Sequence, residues 1–425
     1  MSSVNLGVDL GVNLEDCVAH LSRSAAFRSK RDIARVAARL DAAPAAATRW
    51  QAGGGRILLG DDTAAIPDGS GYLLFAAEGI LPALLDRDPY FAGWCSVMVN
   101  VSDVAAMGGH PLAVLDVYFH SGASDVEAVL TGMREACATY RVPLVGGHTT
   151  RSEDGPHALA VAIVGRADHL LTSFDAREGD DVLVAIDMRG RYHGDFPFWN
   201  ATAGRSPEEL RDALAVFGAL AASGDVHACK DVSNAGIAGT LLMLLEASGA
   251  GAALDLDRLP RPNGADMARW LLTFPSYGFV LTAAPDRAGR ALACFRERGI
   301  ACERVGRIDR SLQLRLVAGS RDATTKMSSG NAASGPAGKN LLSAPEKSKV
   351  PNGAWKNIAH PAVPISHGIG TRPPFVCNLY PPCPRFIVST DPRRSNCGPP
   401  SPSPSKGEFP VANETTPLAR SIFNC

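Results

Sequence analysis

Two hydrophobic rhythms alternate along the first three quarters of the chain. Short apolar runs at 72–77, 112–119 and 159–164 have the length and composition of strands. Between them, FAGWCSVMVNVSDVAAMGGHP (91–111) repeats its apolar residues at helical spacing, which puts Trp94, Met98, Val101 and Ala105 on a mostly buried surface. This predicts a helix over 92–107. Gly108 and Gly109 end it, and Pro111 blocks its continuation. From 169 the mixture repeats, opening on the strand DVLVAIDM and closing on LQLRLVAG. Within that block, DVHACKDVSNAGIAGTLLMLLEASGAG (225–251) predicts a helix capped by Ser233 or Asn234, with Ile237, Leu241, Leu244 and Leu245 on one face. Strands and helices mixed in two successive blocks predict two α/β or α+β domains, expected at 51–168 and 169–318.

The ends of the chain read differently. Residues 1–50 are rich in Ala and Arg, and RDIARVAARLDAA places Ile33, Val36 and Leu40 on one helical face with arginines on the other. A helical segment is expected over 1–50. Past Gly319 no periodicity is sustained, and 319–425 carries more than half of the chain's prolines. Such a composition cannot bury enough apolar surface to offset its ordering entropy, so a disordered tail is expected from roughly 320 onward. The change is as abrupt as a frameshifted or read-through end would make it.

Composition narrows the class. The chain has 425 residues, 20% of them charged, and a net charge of -1. These are the values of a soluble globular protein with no field to draw it to nucleic acid or anionic lipid. No apolar run reaches membrane length. The opening MSSVNLGVDLGVNLEDC lacks the basic start and long apolar core of a signal peptide. The ten cysteines form no CxxC pair, so reduced thiols are expected. The expectation is a cytoplasmic protein with no nucleic-acid or membrane partner.

Several stretches carry candidate chemistry. GDDTAAI (60–66) sets Asp61 beside Asp62. Adjacent carboxylates repel unless a cation lies between them, so the pair is either a solvated turn or a metal site for a phosphate. Asn100 and Asp103 are spaced to share a face of the 92–107 helix. A carboxylate on so apolar a helix needs a partner, and a satisfied buried Asp or an exposed one explains it as well as a functional one does. In VPLVGGHTTRSEDG (142–155) an apolar strand runs into Gly146 and Gly147, then His148 and Thr149. Glycines there let backbone approach a ligand, and hydroxyls and amides can take phosphate oxygens; an ordinary turn is the competing reading. Asp231 lies just before a helix start, which favours anions with or without a ligand. Glu78 follows an apolar strand, where a plain edge charge is the alternative. No GxxxxGK[ST] loop occurs.

Taken in order, these stretches resemble the AIR synthase-related, or PurM-like, superfamily. Its members include aminoimidazole ribonucleotide synthetase, thiamine-monophosphate kinase, selenophosphate synthetase and the hydrogenase-maturation dehydratase. GDDTAAI resembles the family's GDDAA loop, VNVSDVAAMGGHP its N-x-SDxxAMGxxP helix, and GGHTTRS its GG[DH]T turn. HACKDVSNAGIAG is similar to its Asp-Val-Thr-Gly-Phe-Gly helix start, and REGDDVLVAI to the strand opening its second domain. The resemblance implies an N-terminal α/β domain, a C-terminal α+β domain and a homodimer closed through an eight-stranded β-barrel. It also implies ATP held near the interface. By position it implies metal ligation by Asp62, Glu78, Asp103 and Asp231. Nucleotide contacts are implied for Gly60, Asp61, Thr63, Asn100, Gly146, Gly147 and Thr149. No residue stands out as a nucleophile or base, and Asp103 and His148 are the candidates for acid-base roles.

A polyphosphate and four carboxylates cannot share a cleft without bridging divalent cations, and Mg2+ is the hard, oxygen-seeking choice. The implied activity is phosphorylation of a small-molecule substrate, or activation of its carbonyl or amide oxygen by phosphoryl transfer. Thiamine-phosphate-kinase-like and selenophosphate-synthetase-like reactions are alternatives, as is a nucleotide-binding partner protein without turnover. RWQAGGGRILLGDD has neither the Cys nor the Lys that selenophosphate synthetase carries before its aspartates, which argues against selenium chemistry. FPSYGFVLT lacks the acids of the kinase GGEDYEL segment, and Glu78 stands where an Asp is usual.

Overall fold

The computed structural model describes residues 13–28, 60–121, 125–151, 155, 157–319 and 321–325. Helix α1 (Leu14–Arg23) starts where the Asn13 side chain accepts a hydrogen bond from the Asp16 amide. Strands β1 (Ala64–Asp68), β2 (Gly71–Gly79), β3 (His110–His120), β4 (Leu144–Arg151) and β5 (Ala158–Ala167) form a sheet in the order β1-β2-β5-β3-β4. β3 and β4 are parallel; the other neighbours are antiparallel. Alternate residues of β5 (Leu159, Val161, Ile163) are buried, as one covered sheet face requires.

Helices α2 (Pro82–Arg87), α3 (Pro89–Ala106) and α4 (Val126–Tyr140) pack with that face in one core. α3 opens earlier than the expected 92. The Asp88 carboxylate accepts from the Phe91 amide at 3.0 Å and Pro89 fills the first turn. It ends before Gly108, whose φ of 79° turns the chain toward β3. α3 and α4 touch backbone to backbone: a Cβ on Gly93 would overlap the Val129 carbonyl, and one on Gly132 the Tyr90 carbonyl. The sheet is open within one chain, with β1 and β4 as its edges, so the described residues close no barrel. Its outer face exposes Phe75, Leu115 and Val117.

The second sheet has seven strands. They are β6 (Asp181–Ile186), β9 (Ala228–Asp231), β10 (Gly251–Asp255), β12 (Gly278–Ala283), β13 (Ala301–Asp309), β14 (Leu314–Ala318) and β15 (Arg321–Thr325). Their order is β15-β14-β10-β13-β6-β12-β9. Short strands β7 (Arg191–Tyr192), β8 (Phe198–Asn200) and β11 (Phe274–Pro275) make a separate three-stranded patch. Helices α5 (Pro207–Ser223) and α8 (Ala288–Arg296) cover one face around Phe217, Phe279 and Phe295. α6 (Gly236–Ser248), α7 (Met267–Leu271) and α1 cover the other around Leu241 and Trp270. The architecture is a mixed α/β, two-domain fold. Among the described residues no helix is long and apolar enough to cross a membrane.

Four local expectations change. GGHTT is not a turn: Gly146 to Thr150 lie inside strand β4. α6 is capped by neither Ser233 nor Asn234. Its N-cap is Ala235 at φ 80°, with no side-chain cap. α1, inside the 1–50 segment, belongs to the core of the second sheet. β15 pairs with β14 beyond the boundary expected at 319. The helix expected around Ile33, Val36 and Leu40, and the rest of the expected tail, lie outside the described residues.

The crossing glycines yield a paired test. Gly132→Ala, which must push two backbones apart, should lower unfolding stability by about 2–3 kcal/mol in urea. Gly218→Ala, in α5 with only an ordinary 3.6 Å contact to Gly108, should be neutral or stabilise by about 0.5–1 kcal/mol. Equal effects from the two would refute the close-crossing account.

Candidate metal and nucleotide site

β9 is the outer edge of the second sheet, and α3 of the first half packs beside it. That junction gathers side chains from three separate elements. Asp62 comes from the segment leading into β1, Asp103 from the last turns of α3 and Asp231 from the end of β9. One carboxylate oxygen from each lies within 4.8 Å of the others. Asp103 is 6% exposed and Asp231 7%.

The neighbours explain how this charge is held. The Asp61 carboxylate accepts from the Ser173 amide at 2.9 Å and the Asp62 amide at 3.0 Å. The Asp62 carboxylate accepts from the Asp231 amide at 3.3 Å. Lys230, in the buried strand β9, donates its ammonium to Asp62 Oδ1, and both side chains are 4% exposed. Sequence reasoning passed over Lys230. Its signal was a lysine between Cys229 and Asp231, just before a run read as a helix start.

Burial sets the protonation behaviour. Asp103 is pushed well above the ordinary carboxylate range by burial first, then by Asp231, Glu78 and Asp62; Lys230 only partly offsets this. Asp61 is raised to about 6, by burial and then by Asp62, against the lowering effect of Lys230 and its two amide donors. Burial alone would lower Lys230. Asp62, Asp61 and Asp231 outweigh it and raise the ammonium above its usual value.

The donor set fits a hard divalent cation. Three carboxylates converge, and buried oxygens near them lack hydrogen-bond partners: Asp103 Oδ2, Asn100 Oδ1 and Thr63 Oγ1. Asn100, one turn before Asp103, spends its amide hydrogens on the Ser96 and Val161 carbonyls, so only its oxygen remains to offer. Gly60, at φ 102°, gives the aspartate segment a backbone conformation that L side chains rarely adopt.

Other expected residues stand apart. Glu78 is exposed on β2, within electrostatic reach of Asp103 but outside the three-carboxylate group. It begins a row across the sheet: Glu78 pairs with Val161, Val161 with Asp116, and Asp116 with Gly147. Three strand spacings put Gly147 about 14 Å from Glu78. Gly146, Gly147, His148 and Thr149 thus lie on the edge strand of the first sheet, three strands across from Glu78. Gly147 is glycine because a Cβ would overlap the Asp116 carboxylate. His148 pairs with exposed Val117, so it faces the outer side of the sheet, where its Nε2 lies 3.0 Å from Thr150 Oγ1. Within one chain His148 and Asp103 are not brought together.

Residues 60–167 match the family model for the AIR synthase related protein, N-terminal domain, and residues 190–318 the model for its C-terminal domain. The chain belongs to the AIR synthase related family. Within it, an uncharacterised protein of Synechocystis sp. is 46% identical over 268 residues, 63% of this chain and 83% of that relative. The thiamine-monophosphate kinase of Halobacterium salinarum is 35% identical over 217 residues, 48% of this chain and 73% of the kinase. Among solved structures, PurLQS from Thermotoga maritima aligns with a TM-score of 0.56 at 18% identity. That match covers 68% of this chain and 49% of that one, about half its length, and shows the shared fold.

The raised Asp103 carboxyl has a pH signature. A carboxyl that holds its proton above the ordinary 3.8 stabilises the fold most in acid, and that contribution is lost as pH rises through the folded-state value. In chelator-treated protein, Asp103→Asn should match wild type near about pH 4 and melt a few degrees higher near about pH 8. A variant melting lower at both pH values would contradict this assignment.

Proposed function

We propose that the chain is an ATP- and Mg2+-dependent enzyme transferring a phosphoryl group to a small molecule, as a kinase or by activating a carbonyl or amide oxygen. The observation that carries this reading is the convergence of Asp62, Asp103 and Asp231 from three elements around one point. The kinase relative supports phosphoryl transfer as the reaction class. Asp62, Asp103 and Asp231 would hold Mg2+, which when bound neutralises phosphate charge. Thr63 Oγ1 and Asn100 Oδ1, buried beside them, would accept hydrogen bonds from metal-bound water or the acceptor. Glu78, at the open end of β2, would guard the solvent side of the cluster. The domain division proposed is 51–168, around the five-stranded sheet, and 169–318, around most of the seven-stranded sheet and the three-stranded patch.

The reading extends to a homodimer. The outer face of the first sheet carries Phe75 and Leu115, each 44% exposed, beside Val117. A second copy would cover that apolar surface, and barrel closure by two such sheets is the arrangement we propose. β4 would then present Gly146, Gly147, His148 and Thr149 to the partner's nucleotide.

Two measurements test this. In calorimetry, ATP should bind wild type only with Mg2+, and Asp62→Asn should weaken binding at least about tenfold, or about 1.4 kcal/mol. Equal binding by both proteins would remove the metal assignment. In sedimentation velocity, wild type should be a dimer and Leu115→Glu a monomer with weakened Mg-ATP binding. A monomer that binds as well as wild type would exclude a role for β4 across an interface.

A further inference from the structure

We infer that Lys230 is a built-in cation occupying one of two cation positions in the acid cluster, so that the site takes a single divalent ion. The inference rests on the metal reading above and goes beyond it.

The aspartates offer two places for positive charge. One lies among Asp62, Asp103 and Asp231, whose ligand atoms are mutually within 4.8 Å. The other is taken by the Lys230 ammonium, which contacts Asp62 Oδ1 and interacts electrostatically with Asp61 and Asp231. The first position carries an independent mark of a missing ligand. Asp103, more than nine-tenths buried, has a carboxylate oxygen with no hydrogen-bond partner. The second has no such deficit: Asp62 Oδ1 has the lysine, and both Asp61 oxygens accept backbone amides.

Lys230 cannot readily give way to an ion. Its strand pairs with β12 through Val280, and all four residues of β9 are buried. An ammonium leaving Asp62 would go into the apolar core around Val280 and Leu241, where an unpaired charge is strongly disfavoured. A tethered monovalent charge therefore does locally what a second divalent ion would otherwise do: it lets Asp61 and Asp62 stand side by side.

The test is Mn2+ alone, titrated into chelator-stripped full-length protein and followed by electron paramagnetic resonance of free Mn2+. Wild type and Lys230→Arg should take one ion per chain. Lys230→Met, matched in length but neutral, should take two. Without metal it should melt well below wild type, and Mn2+ should restore most of that loss. Two ions in wild type, or only one in Lys230→Met at any affinity, would overturn the inference while leaving the metal site standing. No binding by wild type would remove the metal reading itself. If Lys230→Met does not fold, the wild-type and Lys230→Arg stoichiometries decide alone, one ion supporting the inference and two refuting it.

Discussion

Four aspartates cannot share a dry seam unless opposite charge is placed among them, and much of this molecule's arrangement follows from that constraint. In water the repulsion between neighbouring carboxylates is small; at a buried junction it is several times larger, and each charge also loses its hydration. The seam answers with one ammonium from Lys230, backbone amides from Ser173, Asp62 and Asp231, and an Asp103 carboxyl raised by burial and its acidic neighbours. These groups come from both halves of the fold. The junction between the two sheets is thereby fixed by polar contacts as well as by apolar packing.

The edge position of β9 is what permits this. A central strand spends both flanks on neighbours. β9 pairs with β12 on one side and leaves the other for α3 and for the bridge between Thr172 and Ala228. The same edge brings Lys230 and Asp231, which point to opposite faces of the sheet, to one cluster. Environment then separates chemically identical groups. Asp62 is held by the Lys230 ammonium and the Asp231 amide, whereas burial raises the Asp103 carboxyl well above the ordinary range.

Much of the fold was legible in the sequence. The runs at 72–77, 112–119 and 159–164 lie within β2, β3 and β5, and the 92–107 helix is α3 with one earlier turn supplied by Asp88 and Pro89. Ile237, Leu241, Leu244 and Leu245 of α6 are buried as their spacing predicts, but burial extends round most of the helix. Asp62, Asp103 and Asp231 were legible as candidates because motif order linked them. What failed was local geometry that tertiary pairing overrides. Gly146-Gly147 reads as a turn, yet parallel pairing with β3 extends it, and the packing of Asp116 dictates the second glycine. Lys230 was not legible because a lysine beside Asp231 in a four-residue strand gives no clue to its partner, which lies 168 residues away.

The central claim is that Asp62, Asp103 and Asp231 jointly hold a divalent ion that engages a nucleotide's phosphates. The most direct measurement is anomalous diffraction from crystals of the full chain grown with Mn2+ and a non-hydrolysable ATP analogue. The account predicts an anomalous peak bonded to oxygens of all three aspartates and to the analogue's phosphates. A peak elsewhere, or a bound analogue with no ion at these carboxylates, would contradict it.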